Sequence, residues 1–189
     1  MARELAVSPM GQEQPLSFAE AINRTELWLR QWQAGAMDDE TLAQRFAGVL
    51  TSADGRRGFF VATLAGPSSL LDHPPAPVLA QLQRGGAVVV DLVVRNLAMG
   101  TAMALEHQRQ GHGERARASL RVQRRAQALL AQLDSPAVRH RLDQLLAATE
   151  GEGADVAFLE RWNYDAAQRQ AIAHVVATTR RNLAQAQDP

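Results

Sequence analysis

The most apolar stretch of the chain, GAVVVDLVVRNLAMGTAMAL at residues 86–105, constrains the fold more than any other feature. On an α-helix running from about 87 to 110, nearly every direction around the axis is apolar or small. The charged side chains fall in one narrow arc: Asp91, Arg95, Glu106 and Arg109. Gly100 and Ala104, four residues apart, would let a second helix approach closely. A helix of this kind must be covered on several sides, so we predict a central core helix, with a dimer interface as the alternative.

The same stretch is a poor membrane span, because Asp91, Arg95 and Asn96 interrupt it. Each charge at the centre of a bilayer costs about 2.5–3.5 kcal/mol on insertion scales. The first residues, MARELAVSPMGQEQPLS, contain no apolar run of signal-peptide length. We therefore expect a cytoplasmic protein that makes no membrane contact.

Helix start and stop signals follow one another along almost the whole chain. Ser17 with Glu20, and Asp165 with Gln168, have the spacing of capping boxes, and Ser135 precedes a proline at the first helical position. The run GFFVATL, at 58–64, could be a strand or a helical turn, and we favour helix since no partner strand is evident. We predict an all-α fold: a single compact bundle of about seven helices around the long apolar helix. The expected organisation is a flexible N-terminal segment at 1–16, one helical domain at 17–185 and a tail at 186–189.

Composition restricts the chemistry that the chain can perform. The formal net charge of its 189 residues is zero and there is no cysteine, which excludes disulfides and thiolate metal sites. All 20 basic residues are arginine and none is lysine, while alanine is abundant. This usage is typical of a GC-rich genome, and we expect a bacterial source. Part of the arginine density is therefore mutational background.

The densest arginine stretch is RARASLRVQRR, residues 115–125, on a helix predicted over about 113–133. Helical spacing places four arginines within about 100° of one another, opposite the apolar side chains. We take these four as a candidate interaction surface: Arg117, Arg121, Arg124 and Arg125. Residues 84–141 carry ten arginines against four acidic residues, whereas both ends of the chain are acidic. This two-signed layout suits a protein partner or a second copy of the chain.

A nucleic-acid-binding regulator is the first alternative, with the arginine-rich helix 113–133 on the phosphates. Base reading or stacking needs groups that this helix lacks, apart from glutamines such as Gln123 and Gln127. A helix-turn-helix over TLAQRFAGVLTSADGRRGFF is conceivable, but Gly55 and Gly58 are expected to break its second helix. Nucleic-acid binding is thus possible but not favoured.

An enzyme or small-molecule-binding protein is the second alternative. Asn96 and His107 share a face of the apolar helix and form a candidate buried polar pair. No histidine pair has the spacing to bind metal from one helix face, and no nucleotide or nucleophile motif is present. We expect no catalytic residue, metal or cofactor.

The stretch RWNYD, at 161–165, holds the only tyrosine of the chain beside one of its three tryptophans. Trp162 and Tyr164 are candidate aromatic anchors of an interface, because exposed aromatic side chains beside arginine are typical of binding surfaces. We favour the other interpretation, a structural corner in which Trp162 fills the core, Asn163 permits a tight turn and Tyr164 packs before the last helix. Together these patterns favour a non-enzymatic helical interaction or regulatory module that acts through protein–protein contacts.

Overall fold

The computed structural model describes residues 16–133 and 135–186. Within them the chain forms nine α-helices and a π-helical turn, and no strand. The helices are α1 (Phe18–Gln33), α2 (Asp39–Val49), α3 (Ala53–Phe60), α4 (Ala76–Arg84), α5 (Gly86–Arg109), α6 (Gly113–Gln132), α7 (Pro136–Thr149), α8 (Val156–Arg161) and α9 (Ala166–Gln185). The π turn is Val61–Ala65 and continues directly from α3. The predicted all-α fold is confirmed. The described helices outnumber the predicted seven because short ones such as α3 and α8 are separate elements. The predicted N-terminal segment and tail lie, except for Leu16 and Ala186, outside the described residues.

Side-chain caps set the starts of five of the described helices: α1, α2, α3, α7 and α9. Ser17 and Asp165 both form complete capping boxes, with Glu20 and Gln168 returning to the cap backbone. Ser135 accepts a hydrogen bond from the third residue of α7. These caps satisfy amide groups that would otherwise lack a partner at a helix N-terminus.

The long apolar helix is α5, and it lies at the centre of the fold. It packs against α6, α7 and α9 as well as α3 and α4. Ten of its residues are buried, among them Val93, Leu97 and Ala98. α5 is the one described helix with the length and hydropathy of a membrane span, and it is also a helix whose neighbours cover most of its circumference. The predicted central core helix is confirmed.

α5 and α6 form an antiparallel pair joined by a tight turn, in which Gly111 adopts a positive φ of 71°. Gly100 lies at their contact, where a Cβ atom would lie 3.0 Å from the Gln123 backbone nitrogen and 3.1 Å from the Ser119 carbonyl oxygen. The absence of a side chain at Gly100 therefore permits the close approach that the sequence predicted.

The segment 58–64 is helical, as we favoured, and it is the end of α3 followed by the π turn. The expectation that Gly55 and Gly58 would break this helix is wrong. A Cβ at Gly58 would lie 2.6 Å from the Ala21 Cβ, so this glycine lets α3 pack closely on α1. Arg56 donates to the carbonyl oxygens of Leu50 and Thr51 at the end of α2, at 2.9 and 3.0 Å. α3 is thereby bonded to α2 and packed on α1, so part of its surface is unavailable to a DNA groove.

Candidate functional site

A groove of about 840 Å³ lies over one face of α5, between the α1–α3 side of the fold and α8. The large apolar residues that line it are Phe18, Val61, Leu92, Met99, Phe158 and Trp162. Trp162 is 49% exposed and Val61 is 43% exposed, although both are large apolar side chains. Three of the nine aromatic residues of the chain thus line one surface that the described residues leave open.

We call this groove the α5 groove. A cluster of paired charged side chains supports its floor. Arg141 of α7 donates its Nε to Asp91 at 2.8 Å and its Nη2 to Asp155 at 3.0 Å. Arg95, one turn after Asp91, donates its Nε to the same carboxylate at 3.1 Å. Arg141 and Asp155 are both buried. The cluster joins α5, α7 and the start of α8, and so holds the groove's α8 side in place. The sequence placed Asp91 and Arg95 in one arc. Nothing in it indicated that Asp91 would pair with Arg141, 50 residues away, or Arg95 with Asp155, 60 residues away.

Two of the groove's arginines lie against aromatic rings. The Arg57 guanidinium is 5.0 Å from the centre of the Phe18 ring, and the Arg95 guanidinium is 4.9 Å from that of Phe158. Such cation–π contacts orient a guanidinium without using all of its N–H donors. Arg161, at the end of α8, also lines the groove. The groove therefore combines an apolar surface with three guanidinium groups and a single carboxylate, Asp91.

The two aromatic anchors predicted from RWNYD have different environments. Trp162 is half-exposed in the α5 groove, as an anchor would be. Tyr164 is only 6% exposed, and burial raises the pKa of its phenol to about 12. Asn163, between them, has a positive φ of 50° and turns the chain sharply. Tyr164 is thus a core residue ahead of α9, as the structural corner predicts, and it is not an exposed anchor, whereas Trp162 does not fill the core.

The predicted polar pair is not brought into one site. The Asn96 side chain donates to the Leu92 carbonyl at 2.8 Å and lines the α5 groove. His107 lies three turns further along α5, about 16 Å at the helical rise, and its ring is 6.2 Å from that of His112. Asn96 and His107 therefore offer no shared pocket for a ligand. Among the described residues, no group of three or more histidine, aspartate or glutamate side chains could hold a metal ion.

The four arginines of α6 that were predicted as an interaction surface do not form one exposed surface. Arg117 and Arg124 are exposed, whereas Arg121 is half-buried and donates to the Ala65 carbonyl at 3.2 Å. Arg125 is 4% exposed, which corrects its predicted place on the solvent face. On the helical wheel Arg125 lies at the edge of the arginine arc, next to the buried side, so the π turn and the loop after it can cover it.

Arg125 closes the end of the π turn. Its Nη1 donates to the carbonyl oxygens of Thr63, Leu64 and Gly66, at 3.1, 3.2 and 2.8 Å. Its Nε and Nη2 form a two-pronged pair with the Asp72 carboxylate, at 2.9 and 2.8 Å. These bonds hold the pKa of Asp72 below its usual range. Arg125 is therefore a structural residue that holds α6 and the π turn together.

A scan against protein families matched residues 17–179 to the family described as uncharacterised conserved protein UCP020893. The chain belongs to this family. The matched range of UCP020893 runs from the cap of α1 into α9 and includes every residue named above in the α5 groove. Searches of curated proteins and of solved structures found no match.

Proposed function

We propose that the protein is a non-enzymatic helical interaction module, with a regulatory role, that binds a protein partner in the α5 groove. One observation carries this proposal: Trp162 and Val61 remain about half-exposed beside other aromatic side chains, methionine and arginine. Aromatic residues, methionine and arginine are the residue types enriched in protein interfaces. Binding energy concentrates on a few such side chains, with tryptophan and arginine foremost.

The exposure of the lining supports a protein partner over a small molecule. Small-molecule sites bury 70–90% or more of the ligand's surface, which needs an enclosed cavity. The α5 groove is open along the side where Trp162 and Val61 meet solvent. The arginines of α6 give weaker support to nucleic acid, because Arg125 is buried and Arg121 is bonded to the backbone. The cytoplasmic location and the bacterial source stay predictions from the sequence.

The proposal is tested by cross-linking from inside the groove. A photoreactive phenylalanine analogue replaces Trp162 in the full chain, which is expressed in cells of its own source. The same analogue replaces Leu27 as a matched control, since Leu27 is also an exposed apolar residue, at 45%, but lies outside the groove lining. We expect a defined protein adduct at position 162 and none at position 27.

The protein identified in this way is then purified and its affinity measured. Trp162→Ala should weaken binding at least tenfold, because loss of an anchor residue costs about 2 kcal/mol or more. Leu27→Ala should leave the affinity unchanged. Identical adducts at both positions, or an affinity insensitive to Trp162→Ala, would show that the groove is not the binding surface.

A further inference from the structure

Building on the proposed function, we infer that the occupant of the α5 groove is an amphipathic α-helix of another protein, with carboxylates beside its apolar anchors. Three features of the groove support a partner of this chemistry. They are the guanidinium groups that lie against aromatic rings, the balance of charged groups and the helical nature of the groove's floor.

The guanidinium groups of Arg57 and Arg95, which lie against aromatic rings, keep N–H donors that can bind a carboxylate. Arg95 uses its Nε on Asp91, has its Nη2 3.5 Å from Asp155 and lies against Phe158. Arg57 uses one Nη on Asp54 at 3.2 Å and lies against Phe18. Each therefore keeps further N–H donors, since a guanidinium has five. A guanidinium already fixed in orientation loses less conformational entropy on binding.

The charge balance of the lining favours an acidic partner. Asp91 is the only carboxylate among the lining residues, and it already accepts hydrogen bonds from Arg95 and Arg141. Arg161 forms no ion pair with any described residue. A basic segment would meet three guanidiniums and no free carboxylate, whereas an acidic segment would meet complementary charge.

The floor and walls of the groove favour a helix over an extended strand. α5 is the floor, and the amides along its middle are bonded within the helix. The described residues offer no strand edge to which a peptide could add. An α-helix satisfies its own backbone groups and therefore suits a groove that offers none of its own.

A second copy of this chain fits these features poorly. Outside the groove, the described large apolar residues that are exposed are Leu27 and Val88. Neither offers a row of apolar anchors on one helix face. Two grooves facing each other would bring the arginines of one copy against those of the other, which is repulsive.

The test uses the full-length protein and three sets of hydrocarbon-stapled helical peptides, measured by fluorescence anisotropy. All sets share the same varied patterns of leucine and phenylalanine at i, i+3, i+4 and i+7. They differ only in the residues flanking these anchors, which are Glu in one set, Gln in the second and Lys in the third. We expect the best Glu peptides to bind at least tenfold more tightly than their Gln counterparts, with the Lys peptides weakest.

Arg57→Gln and Arg161→Gln should each reduce the preference for Glu severalfold. Arg45→Gln is the matched control, because Arg45 is an exposed arginine that also lies against an aromatic ring, at 5.5 Å from that of Trp28, but outside the groove. It should leave the preference unchanged.

Two outcomes overturn the inference without touching the proposed function. One is a cross-link at position 162 that joins two copies of this chain, or that maps to a basic or extended segment of the partner. The other is a peptide series that shows no preference for Glu, or no binding in any set, while the cross-linked partner still depends on Trp162. Absence of any specific cross-link at position 162 refutes the proposed function itself.

Discussion

Replacing Arg125 with methionine should destabilise the protein strongly, although the sequence places this residue in an arginine-rich surface stretch. Methionine keeps most of the length and apolar volume of the side chain but removes all five donors. The carbonyls of Thr63 and Leu64 belong to buried residues and lose the guanidinium as their partner. Each buried acceptor left without a partner costs about 1–3 kcal/mol.

The other two hydrogen-bond partners of Arg125, Gly66 and Asp72, are hydrated more easily once the guanidinium is removed. Gly66 is half-buried, and the Asp72 side chain is 41% exposed, so its carboxylate is partly hydrated once the arginine is gone. Loss of the buried guanidinium also removes a desolvation cost. Taken together we expect Arg125→Met to lower the free energy of unfolding by about 3–5 kcal/mol, a large share of the ~5–15 kcal/mol of an ordinary domain.

Urea unfolding followed by far-ultraviolet circular dichroism measures this loss. Arg117→Met is the matched control, because Arg117 is an exposed arginine on the same helix. Exposed substitutions usually change stability by less than about 0.5 kcal/mol. Equal stabilities of the Arg125 and Arg117 variants would refute the assignment of Arg125 as a structural clamp.

The Asp72 partner adds a pH dependence with a defined sign. The Arg125 hydrogen bonds lower the pKa of Asp72 in the folded state. The stability from this pair is therefore present above the unfolded pKa of aspartate, about 3.9, and is lost as the pH falls through the lower folded value. The gap in urea midpoint between wild type and Asp72→Asn should be widest near neutral pH and shrink below about pH 4. A gap that is constant with pH would contradict this coupling.

Two further pairs of substitutions test the packing, both by urea unfolding. Gly58→Ala should destabilise the protein despite the better helix propensity of alanine, because the new Cβ would lie within 3 Å of α1. At Gly48 a new Cβ meets open space, so Gly48→Ala should raise the free energy of unfolding by about 0.5–1 kcal/mol. Stabilisation by both would disprove the close α1–α3 contact. Leu97→Asp should prevent folding, since Leu97 is fully buried, while Met103→Asp on the half-exposed side of α5 should still fold. Two folded variants, or two unfolded ones, would contradict the assigned burial of α5.

The fold could be predicted from the sequence because its signals are local. Capping boxes at Ser17 and Asp165 act within three residues, and the apolar circumference of α5 is visible in its own segment. The prediction that glycines would break α3 was wrong because Gly58 permits a close contact with α1, some 37 residues earlier. Helix propensity alone cannot show that a missing Cβ permits close packing.

The α5 groove could be predicted only in part, because its residues are far apart in the sequence. Trp162 stood out locally as an aromatic residue beside arginine, and Asn96 as a polar residue in an apolar helix. Their common surface also needs Phe18 and Val61, from elements that no local pattern connects with α8. Tyr164 and Trp162 looked alike in sequence, and only the turn at Asn163 separates their environments.

Several arginines of this lysine-free chain stabilise the fold and are therefore unavailable to a partner. Arg56 bonds the end of α2, Arg125 bonds the end of the π turn, and Arg141 lies in the buried ion cluster. In each case the planar guanidinium reaches several acceptors at once, which an ammonium group does less well. The arginine excess of residues 84–141 therefore overstates the charge available at the surface. On the proposed function, the arginines available to a partner are those that keep free donors beside exposed apolar surface. In the α5 groove Arg57 and Arg161 meet that condition, although neither lies in the densest stretch.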